Sequence, residues 1–273
     1  MAKGRVLFVS QEITPYFPED EVSNFGRQLP QYTQDFGKEI RIFMPRFGNV
    51  NERKNQLHEV IRLSGINLII DNADHPLIIK VASIQPARIQ VYFIDNEDYF
   101  QRRFDVVDDK GQFFPDNDER VIFFSRGVLE TIKKLHWQPH IIHCTGWFSC
   151  LMPFYVKRTD YKNHPLFGTT KMVVTITDKE YTGVLHQEFH KKLKMDGGTV
   201  KDWGMYKESD YLNFMMASIY YSDGVVVGTK KIDGRLLDYA NSLKKPIIEY
   251  APVQEQSVAI NELYDKIMII EED

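Results

Sequence analysis

The chain has 273 residues, of which 43% are hydrophobic and 26% charged, and its formal net charge is −4. These values are typical of a globular protein with a substantial core, and no long basic tract indicates a nucleic-acid partner. No apolar run reaches the roughly 20 residues of a membrane helix, and the first run is too short for a signal peptide. Because the cysteines are few, Cys144 and Cys150, and form no CxxC motif, we expect a reduced, cytoplasmic protein without membrane contact.

Short β-rich apolar runs alternate with helical patterns along the chain, which predicts an α/β fold. Several of the runs are apolar throughout, as expected for parallel strands that are buried on both faces. The predicted strands are residues 5–9, 40–44, 91–94, 140–144, 172–176 and 225–227. The predicted helices are residues 22–35, 118–135, 148–157, 211–221 and 231–239, with a closing helix at 255–267.

Residues 57–95 differ from this alternation and read as four strand-like runs separated by turn residues. They predict antiparallel hairpins inserted into a mainly parallel, Rossmann-like sheet with helices on both faces. We expect residues 1–245 to form this domain and residues 246–273 to form a C-terminal helix and tail that pack on it. The loop at 105–118 is polar and is expected to be exposed, and residues 191–209 are expected to be irregular.

Several short motifs occur in a fixed order along the chain. Residues 10–16 read Ser-Gln-Glu-Ile-Thr-Pro-Tyr, residues 93–96 read Phe-Ile-Asp-Asn, and residues 139–143 read Pro-His-Ile-Ile-His, followed by Trp147. Residues 115–120 read Pro-Asp-Asn-Asp-Glu-Arg, and residues 175–176 read Thr-Ile, followed by Tyr181 and Gly183. This ordered set resembles bacterial glycogen and starch synthases from residue 5 to about residue 230.

The resemblance implies the N-terminal, Rossmann-like lobe of a two-lobed GT-B glycosyltransferase. In that family this lobe holds the glucan acceptor, and the C-terminal lobe holds most of the sugar nucleotide. A second lobe of this kind needs roughly 150 further residues, and we expect it to be missing here.

The chain departs from the family at the positions to which the resemblance assigns chemistry. Where the family has a Lys-x-Gly-Gly loop for the phosphates of ADP-glucose, this chain reads Pro18-Glu19-Asp20-Glu21. Proline has no N–H to offer a phosphate, and three carboxylates would repel it. The family's strand-end His-Asp pair is Thr145-Gly146 here, and the histidine of its Thr-Ile-His motif is Thr177. We therefore predict that the chain alone has lost the family's reaction, and we assign no catalytic residue, cofactor or metal.

Candidate ligand-binding residues follow three predicted parallel strands, because open α/β sheets bind ligands beyond the carboxyl ends of their strands. Hydroxyl and carboxylate groups there could bind sugar hydroxyls, and the indole of Trp147 could stack on a sugar ring. Equally, Trp147 could pack the next helix against the sheet. The candidates are Glu12, Tyr16, Thr145, Trp147, Thr177 and Asp178.

Two further motifs are interpreted as structural. His186 and His190 are four residues apart, but the glutamate between them does not match a zinc-protease motif. The lysine-rich residues 191–194 before Gly197 and Gly198 do not follow a predicted strand, so we interpret them as a basic loop and not as an anion site.

The prediction for function is a stand-alone, non-catalytic domain that binds a glucan or other sugar ligand, or a protein partner. One alternative is a glycosyltransferase, from ADP-glucose to glucan, that is completed by a donor-binding lobe from another chain. The other alternative is a structural homodimer that covers the sheet edge left without a second lobe.

Overall fold

The computed structural model describes residues 3–85, 87 and 89–269. Within this part of the chain, ten strands form one mixed sheet in the order β10-β9-β8-β7-β1-β2-β6-β5-β3, with β4 paired to β5. The seven strands from β10 to β6 are parallel, and β3, β4 and β5 are antiparallel to their neighbours. The strands are β1 (Arg5–Ser10), β2 (Glu39–Pro45), β3 (His58–Glu59), β4 (Ile66–Ile70), β5 (Ala73–Ile84), β6 (Ile89–Asp95), β7 (Ile141–Thr145), β8 (Lys171–Ile176), β9 (Gly224–Val227) and β10 (Ile247–Ile248).

The central strands are buried along almost their whole length, which explains why their sequences are apolar without alternation. All five residues of β7 and all four of β9 are buried. The predicted α/β, Rossmann-like fold with a mainly parallel sheet is therefore confirmed, and each of the six predicted parallel strands is found within two residues of its expected bounds.

Helices cover both faces of the sheet. Neighbouring residues of β6 point to opposite faces: Ile94 approaches Gly127 of α4, whereas Phe93 contacts Tyr16 in the loop before α1. α1 packs with α10, and α4 and α8 each pack with α5. The helices are α1 (Glu21–Asp35), α2 (Glu52–Asn55), α3 (Glu97–Phe100), α4 (Asn117–Leu135), α5 (Met152–Arg158), α6 (Phe189–Met195), α7 (Val200–Gly204), α8 (Tyr211–Tyr221), α9 (Gly234–Ser242) and α10 (Val253–Ile267).

The structure refines the predictions for residues 57–95. The hairpins lie at one edge of the sheet, beyond β6, and do not interrupt its parallel part. Among the described residues of the run at 57–63, strand pairing is limited to His58 and Glu59, which pair with β5 at the edge of the sheet. The predicted helix at 148–157 begins instead with a 3₁₀ turn over Trp147–Ser149 and continues as α5.

Two loops are more ordered than the sequence indicates. The segment 105–118 is not fully exposed: Val107 and Phe113 form an antiparallel bridge, and the Phe113 ring packs onto aromatic side chains. The mainly polar composition of the segment hides these apolar contacts, to which Val106 also contributes. Residues 191–209, predicted as irregular, contain most of α6 and all of α7, which at seven and five residues are too short to give a clear helical period.

The C-terminal residues close one face of the sheet. Tyr264 of α10 hydrogen-bonds through its hydroxyl to Nδ1 of His143 in β7, and the Asn261 amide donates to Thr33 Oγ1 of α1 at 3.3 Å. Lys38 forms an ion pair with Asp265 at 2.9 Å. Of the helices in the described residues, none is both long and apolar enough to cross a bilayer.

Candidate functional site

The strand order reverses between β1 and β7. From β1 the chain continues to β2 on one side, whereas β7, β8 and β9 follow on the other. The two strands end side by side, with Ser10 opposite Thr145. In open α/β sheets a ligand crevice lies at this switch point, so the residues that follow these strands form the candidate site.

Gln11 fills the space between the two strand ends. Its backbone N–H donates to the Thr145 carbonyl at 2.9 Å, and its side-chain Oε1 accepts from the Phe148 N–H at 3.1 Å. Gly146 has φ +81°, and a Cβ at that position would lie 2.8 Å from the Cβ of Gln11. A glycine is therefore needed for this close approach, and a neutral amide occupies the floor of the crevice.

The amino terminus of α1 is occupied by a carboxylate of the chain itself. Asp20 Oδ1 accepts from the Ser23 N–H at 2.8 Å, and Ser23 Oγ accepts from the Asp20 N–H at 3.1 Å, which together form a capping box. Free N–H groups and the helix dipole make such a terminus attractive to phosphate. Here Asp20 stands where a bound anion would otherwise accept those hydrogen bonds.

Lys179, three residues beyond β8, joins this carboxylate to a second one. Its ammonium hydrogen-bonds to Glu12, which follows β1, and to Asp20 Oδ2 at 2.5 Å. We call Glu12, Asp20 and Lys179 the ion triad. It connects the ends of β1 and β8 with the start of α1 and carries two carboxylates for one ammonium.

Burial and hydrogen bonding act differently on the three charges of the ion triad. Burial raises the pKa of Glu12, and Lys179 counteracts this effect only in part. For Asp20, partial burial is outweighed by hydrogen bonds from Lys179 and the Ser23 N–H, so its pKa is lowered. Burial acts to lower the pKa of Lys179, but its two carboxylate partners raise it overall. The ammonium is therefore firmly held at neutral pH.

Sequence reasoning missed Lys179. It identified the acidic residues Glu19, Asp20 and Glu21 but not the cation that pairs with Asp20. The available signal was the position of Lys179, three residues after the apolar strand 172–176, because parallel strands end at a common edge.

Trp147 lies within an aromatic cluster and has 2% of its surface exposed. Its ring centroid is 4.6 Å from that of Tyr181 and 5.8 Å from that of Phe113, and Phe113 stacks on Tyr181 at 5.2 Å. Phe148 and Phe214 complete the contacts. The aromatic surface that could receive a sugar is thus covered by Phe113 of the segment 105–118.

The six sequence candidates are placed in different surroundings. All are buried except Asp178, which is exposed and whose N–H donates to Thr229 Oγ1 at 2.9 Å. The Thr177 carbonyl accepts a hydrogen bond from the Tyr211 hydroxyl at 3.0 Å. Thr145 lies beside the crevice floor, Glu12 belongs to the ion triad, and Tyr16 faces Phe93 away from the Trp147 cluster. A ligand-binding role for these residues stays a prediction.

Among the described residues, no cluster of histidine, cysteine, aspartate or glutamate side chains could hold a metal ion. His190 lies in α6, whereas His186 precedes that helix. The two histidines therefore do not share one helical face.

Comparisons with known proteins agree with this fold. The family model described as the starch synthase catalytic domain matches residues 5–231. The chain is 34% identical over 227 residues to a glycogen synthase of Chlorobium luteolum, covering 83% of this chain and 46% of that protein. It is 36% identical over 221 residues to a glycogen synthase of Chlorobaculum parvum, covering 80% and 44%.

Among solved structures, the chain is similar to the catalytic domain of starch synthase IV from Arabidopsis thaliana bound to ADP and acarbose. The TM-score is 0.66 at 16% identity, and the match covers 98% of this chain and 51% of the other. This chain thus spans about half the length of each protein it matches. The chain belongs to the glycogen and starch synthase family.

Proposed function

We propose that this domain binds a glucan or related sugar at the carboxyl edge of its sheet and does not, by its own residues, transfer glucose from ADP-glucose. The observation that carries the proposal is the ion triad, in which Asp20 caps α1 and Lys179 holds Asp20 and Glu12 together. Its single cation is already engaged by two carboxylates.

A diphosphate could approach α1 only at the expense of these contacts. Asp20 would have to leave the Ser23 N–H, and Lys179 would have to leave Glu12, whose side chain is 7% exposed. A buried carboxylate without its cation costs several kcal/mol in general, and the released carboxylates would repel the phosphates. This geometry therefore disfavours binding of ADP-glucose in two ways: Glu12 loses its cation, and the released carboxylates repel the phosphates.

The support for a sugar ligand is of a different kind. A related fold, starch synthase IV of Arabidopsis thaliana, is described with acarbose and ADP. In the present chain Trp147 and Tyr181 form an aromatic surface beneath Phe113, and Asp178 is exposed at the same sheet edge. Aromatic faces beside carboxylates suit sugars, which offer apolar ring faces and hydroxyl groups. We place this domain in the cytoplasm, in keeping with its two free, buried cysteines.

A second candidate is a transferase that is completed by a donor-binding lobe. It is favoured by the coverage of the relatives, since this chain matches 46% and 44% of two glycogen synthases. In that case the domain would contribute the acceptor side of the reaction.

Calorimetry at low salt with ADP-glucose, and separately with maltopentaose, tests the proposal, because low salt favours phosphate attraction. We expect maltopentaose to bind in the millimolar range or better and ADP-glucose not to bind. A dissociation constant in the low micromolar range for ADP-glucose would contradict the loss of donor binding. Failure of maltopentaose to bind at millimolar concentration would contradict the sugar role.

A glucosyl-transfer assay with glycogen distinguishes the second candidate. The domain is assayed alone and with a separately produced C-terminal lobe of a glycogen synthase relative. Transfer that requires both polypeptides would support the completed transferase, whereas transfer by the domain alone would contradict our proposal.

A further inference from the structure

A cavity lies beside α1, and none of the residues that line it belongs to the ion triad. Its volume is about 770 Å³, and it is bounded by the loop after β1, by α1, by the segment from α2 to β3, and by β5 and β6. We call it the α1 cavity. Binding sites for small molecules commonly have volumes of about 300–1,000 Å³, so the α1 cavity is large enough for more than a single inorganic ion.

The lining of the α1 cavity is cationic, although the whole chain is acidic. Arg27 and Lys54 line it, and no aspartate or glutamate does so among the described residues. Arg27 Nη1 donates to Gln31 Oε1 at 3.0 Å and has no carboxylate partner in the described part of the chain. Burial lowers the pKa of Arg27, as expected for a guanidinium that no nearby carboxylate compensates.

The α1 cavity also contains a buried polar group without a partner. Tyr16 is 6% exposed, and among the described residues its hydroxyl makes no hydrogen bond. Burial raises its pKa to about 12, so the hydroxyl keeps its proton at neutral pH. Leaving a buried hydroxyl unpaired is unfavourable, and a ligand acceptor in the cavity would remove that cost.

The remaining lining is rich in neutral hydrogen-bonding side chains. Asn55, Gln56 and Gln90 line the α1 cavity, and Gln56 and Gln90 are exposed. Amides both donate and accept hydrogen bonds, which matches the hydroxyl groups of a sugar. The cavity thus combines a cationic part for an anion with a neutral polar part for a polyhydroxylated group.

We propose that the α1 cavity binds a hexose phosphate, with the phosphate on Arg27, Lys54 and the Tyr16 hydroxyl and the sugar hydroxyls on the surrounding amides. Guanidinium and ammonium groups form charge-assisted hydrogen bonds with phosphate. The lining shares Tyr16 and the loop after β1 with the candidate site but includes no residue of the ion triad or of the crevice floor, and the proposal does not depend on the function proposed above.

Isothermal titration calorimetry with glucose 6-phosphate, inorganic phosphate and glucose tests the proposal on the full chain. We expect glucose 6-phosphate to bind more tightly than either of the others and its affinity to fall as salt is raised. Equal affinity for inorganic phosphate would overturn the assignment of the sugar. Absence of binding by glucose 6-phosphate at millimolar concentration would overturn the site.

Three variants locate the binding. Arg27→Gln and Tyr16→Phe should each lower the affinity for glucose 6-phosphate by about tenfold, because each removes one charge-assisted hydrogen bond. Arg53→Gln is the matched control, because Arg53 precedes Lys54 on α2 but does not line the α1 cavity. The affinity of this variant for glucose 6-phosphate should stay within about twofold of wild type.

Tyr16→Phe also separates binding from folding. Because the hydroxyl has no partner in the described residues, its removal should not lower the melting temperature in the absence of ligand. Unchanged affinity of Tyr16→Phe and Arg27→Gln would overturn the proposal, even if glucose 6-phosphate binds elsewhere.

Discussion

Lys179 determines the electrostatic balance at the strand ends. It is one-third exposed, whereas Glu12 is nearly buried and Asp20 is partly exposed. The position of one ammonium between two carboxylates opposes the rise that burial causes in the pKa of Glu12. This arrangement also leaves no unpaired cation in the triad for a phosphate.

Lys179→Ala should destabilise the domain by about 1–3 kcal/mol. Removing one partner of a buried ion pair generally costs more, but solvent reaches Lys179 and Asp20 and reduces the effect. Urea unfolding at pH 7 measures it. Lys191→Ala is the control, because Lys191 pairs with Glu188 on the exposed surface and should change the free energy of unfolding by less than about 0.5 kcal/mol.

The difference in the free energy of unfolding between wild type and Lys179→Ala should become smaller as the pH falls from 7 to 5. Burial already raises the pKa of Glu12, and loss of the ammonium raises it further. The folded variant then binds a proton at a pH where the unfolded chain, with a pKa near about 4.3, does not. Its stability therefore rises on acidification, and a deficit that is independent of pH would contradict this account.

Trp147→Ala should lower the free energy of unfolding by about 3–5 kcal/mol, as large-to-small substitutions in a packed core do. Four aromatic rings surround the indole. Trp203→Ala is the comparison, because Trp203 is only half-buried. If Trp147→Ala folds as well as wild type and only loses maltopentaose binding, Trp147 serves as a ligand surface and not as core.

At this scale the sequence predicts the positions of the site residues better than their surroundings. The residues after β1, β7 and β8 meet at one sheet edge, as expected from parallel strands. Their burial could not be predicted, because Phe113 covers the aromatic surface and Gln11 fills the space between the strand ends, and both residues lie in segments whose sequences carry no periodic signal.

At the scale of elements, the segment 105–118 covers the aromatic surface at the sheet edge through one side chain. Phe113 packs on Trp147 and Tyr181, and the Asn117 amide donates to the Val106 carbonyl at 2.8 Å. Phe114 instead faces Arg102 and Arg120. The ring of Phe113 thus occupies the aromatic surface that a sugar would need.

Phe113→Ala should increase the affinity for maltopentaose by about two- to tenfold, because an aromatic contact that competes with the ligand is worth roughly 0.5–1.5 kcal/mol. Calorimetry measures the change, and Phe114→Ala is the control from the same segment. Equal affinity of Phe113→Ala and wild type would show that this surface is not used by the ligand.

Elements buried on both faces were the most predictable. β1, β7, β8 and β9 have mainly apolar sequences without alternation, which are typical of buried parallel strands. The short helices α2, α3, α6 and α7 were not predicted, since one or two turns cannot establish a 3.6-residue period. The edge position of the hairpins depends on long-range pairing of β5 with β6, which sequence patterns do not specify.

At the scale of the whole molecule, β7 and α10 are linked through a fully buried histidine. The ring of His143 contacts the Tyr264 hydroxyl through Nδ1 and Thr175 Oγ1 through Nε2 at 2.5 Å. Burial lowers the pKa of His143 to about 3. The imidazole is therefore neutral in the folded protein at any pH near neutrality.

The free energy of unfolding should fall by about 1.4 kcal/mol per pH unit from pH 6 to pH 4 through this one group. The unfolded histidine binds a proton below about pH 6.5, whereas the folded one does not until near its lowered pKa, so acid favours unfolding. His143→Gln, unfolded in urea across this range, should lack that slope relative to wild type. The control is His186→Gln, because His186 lies in the loop before α6, and this variant should retain the pH dependence. An unchanged slope in His143→Gln would refute the assignment of this pH dependence to His143.

The ion triad also limits which changes of sequence could create a phosphate site in this crevice. Replacing Asp20 by glycine removes the cap of α1, and Lys179 would still be engaged by Glu12. Replacing Lys179 leaves Glu12 buried without a cation. Each single substitution lowers stability while the other two residues remain. The effects of substitutions at the three positions are therefore not additive. A phosphate site in this crevice would need coordinated substitutions at these three positions, because no single substitution removes both carboxylates and leaves the lysine unpaired.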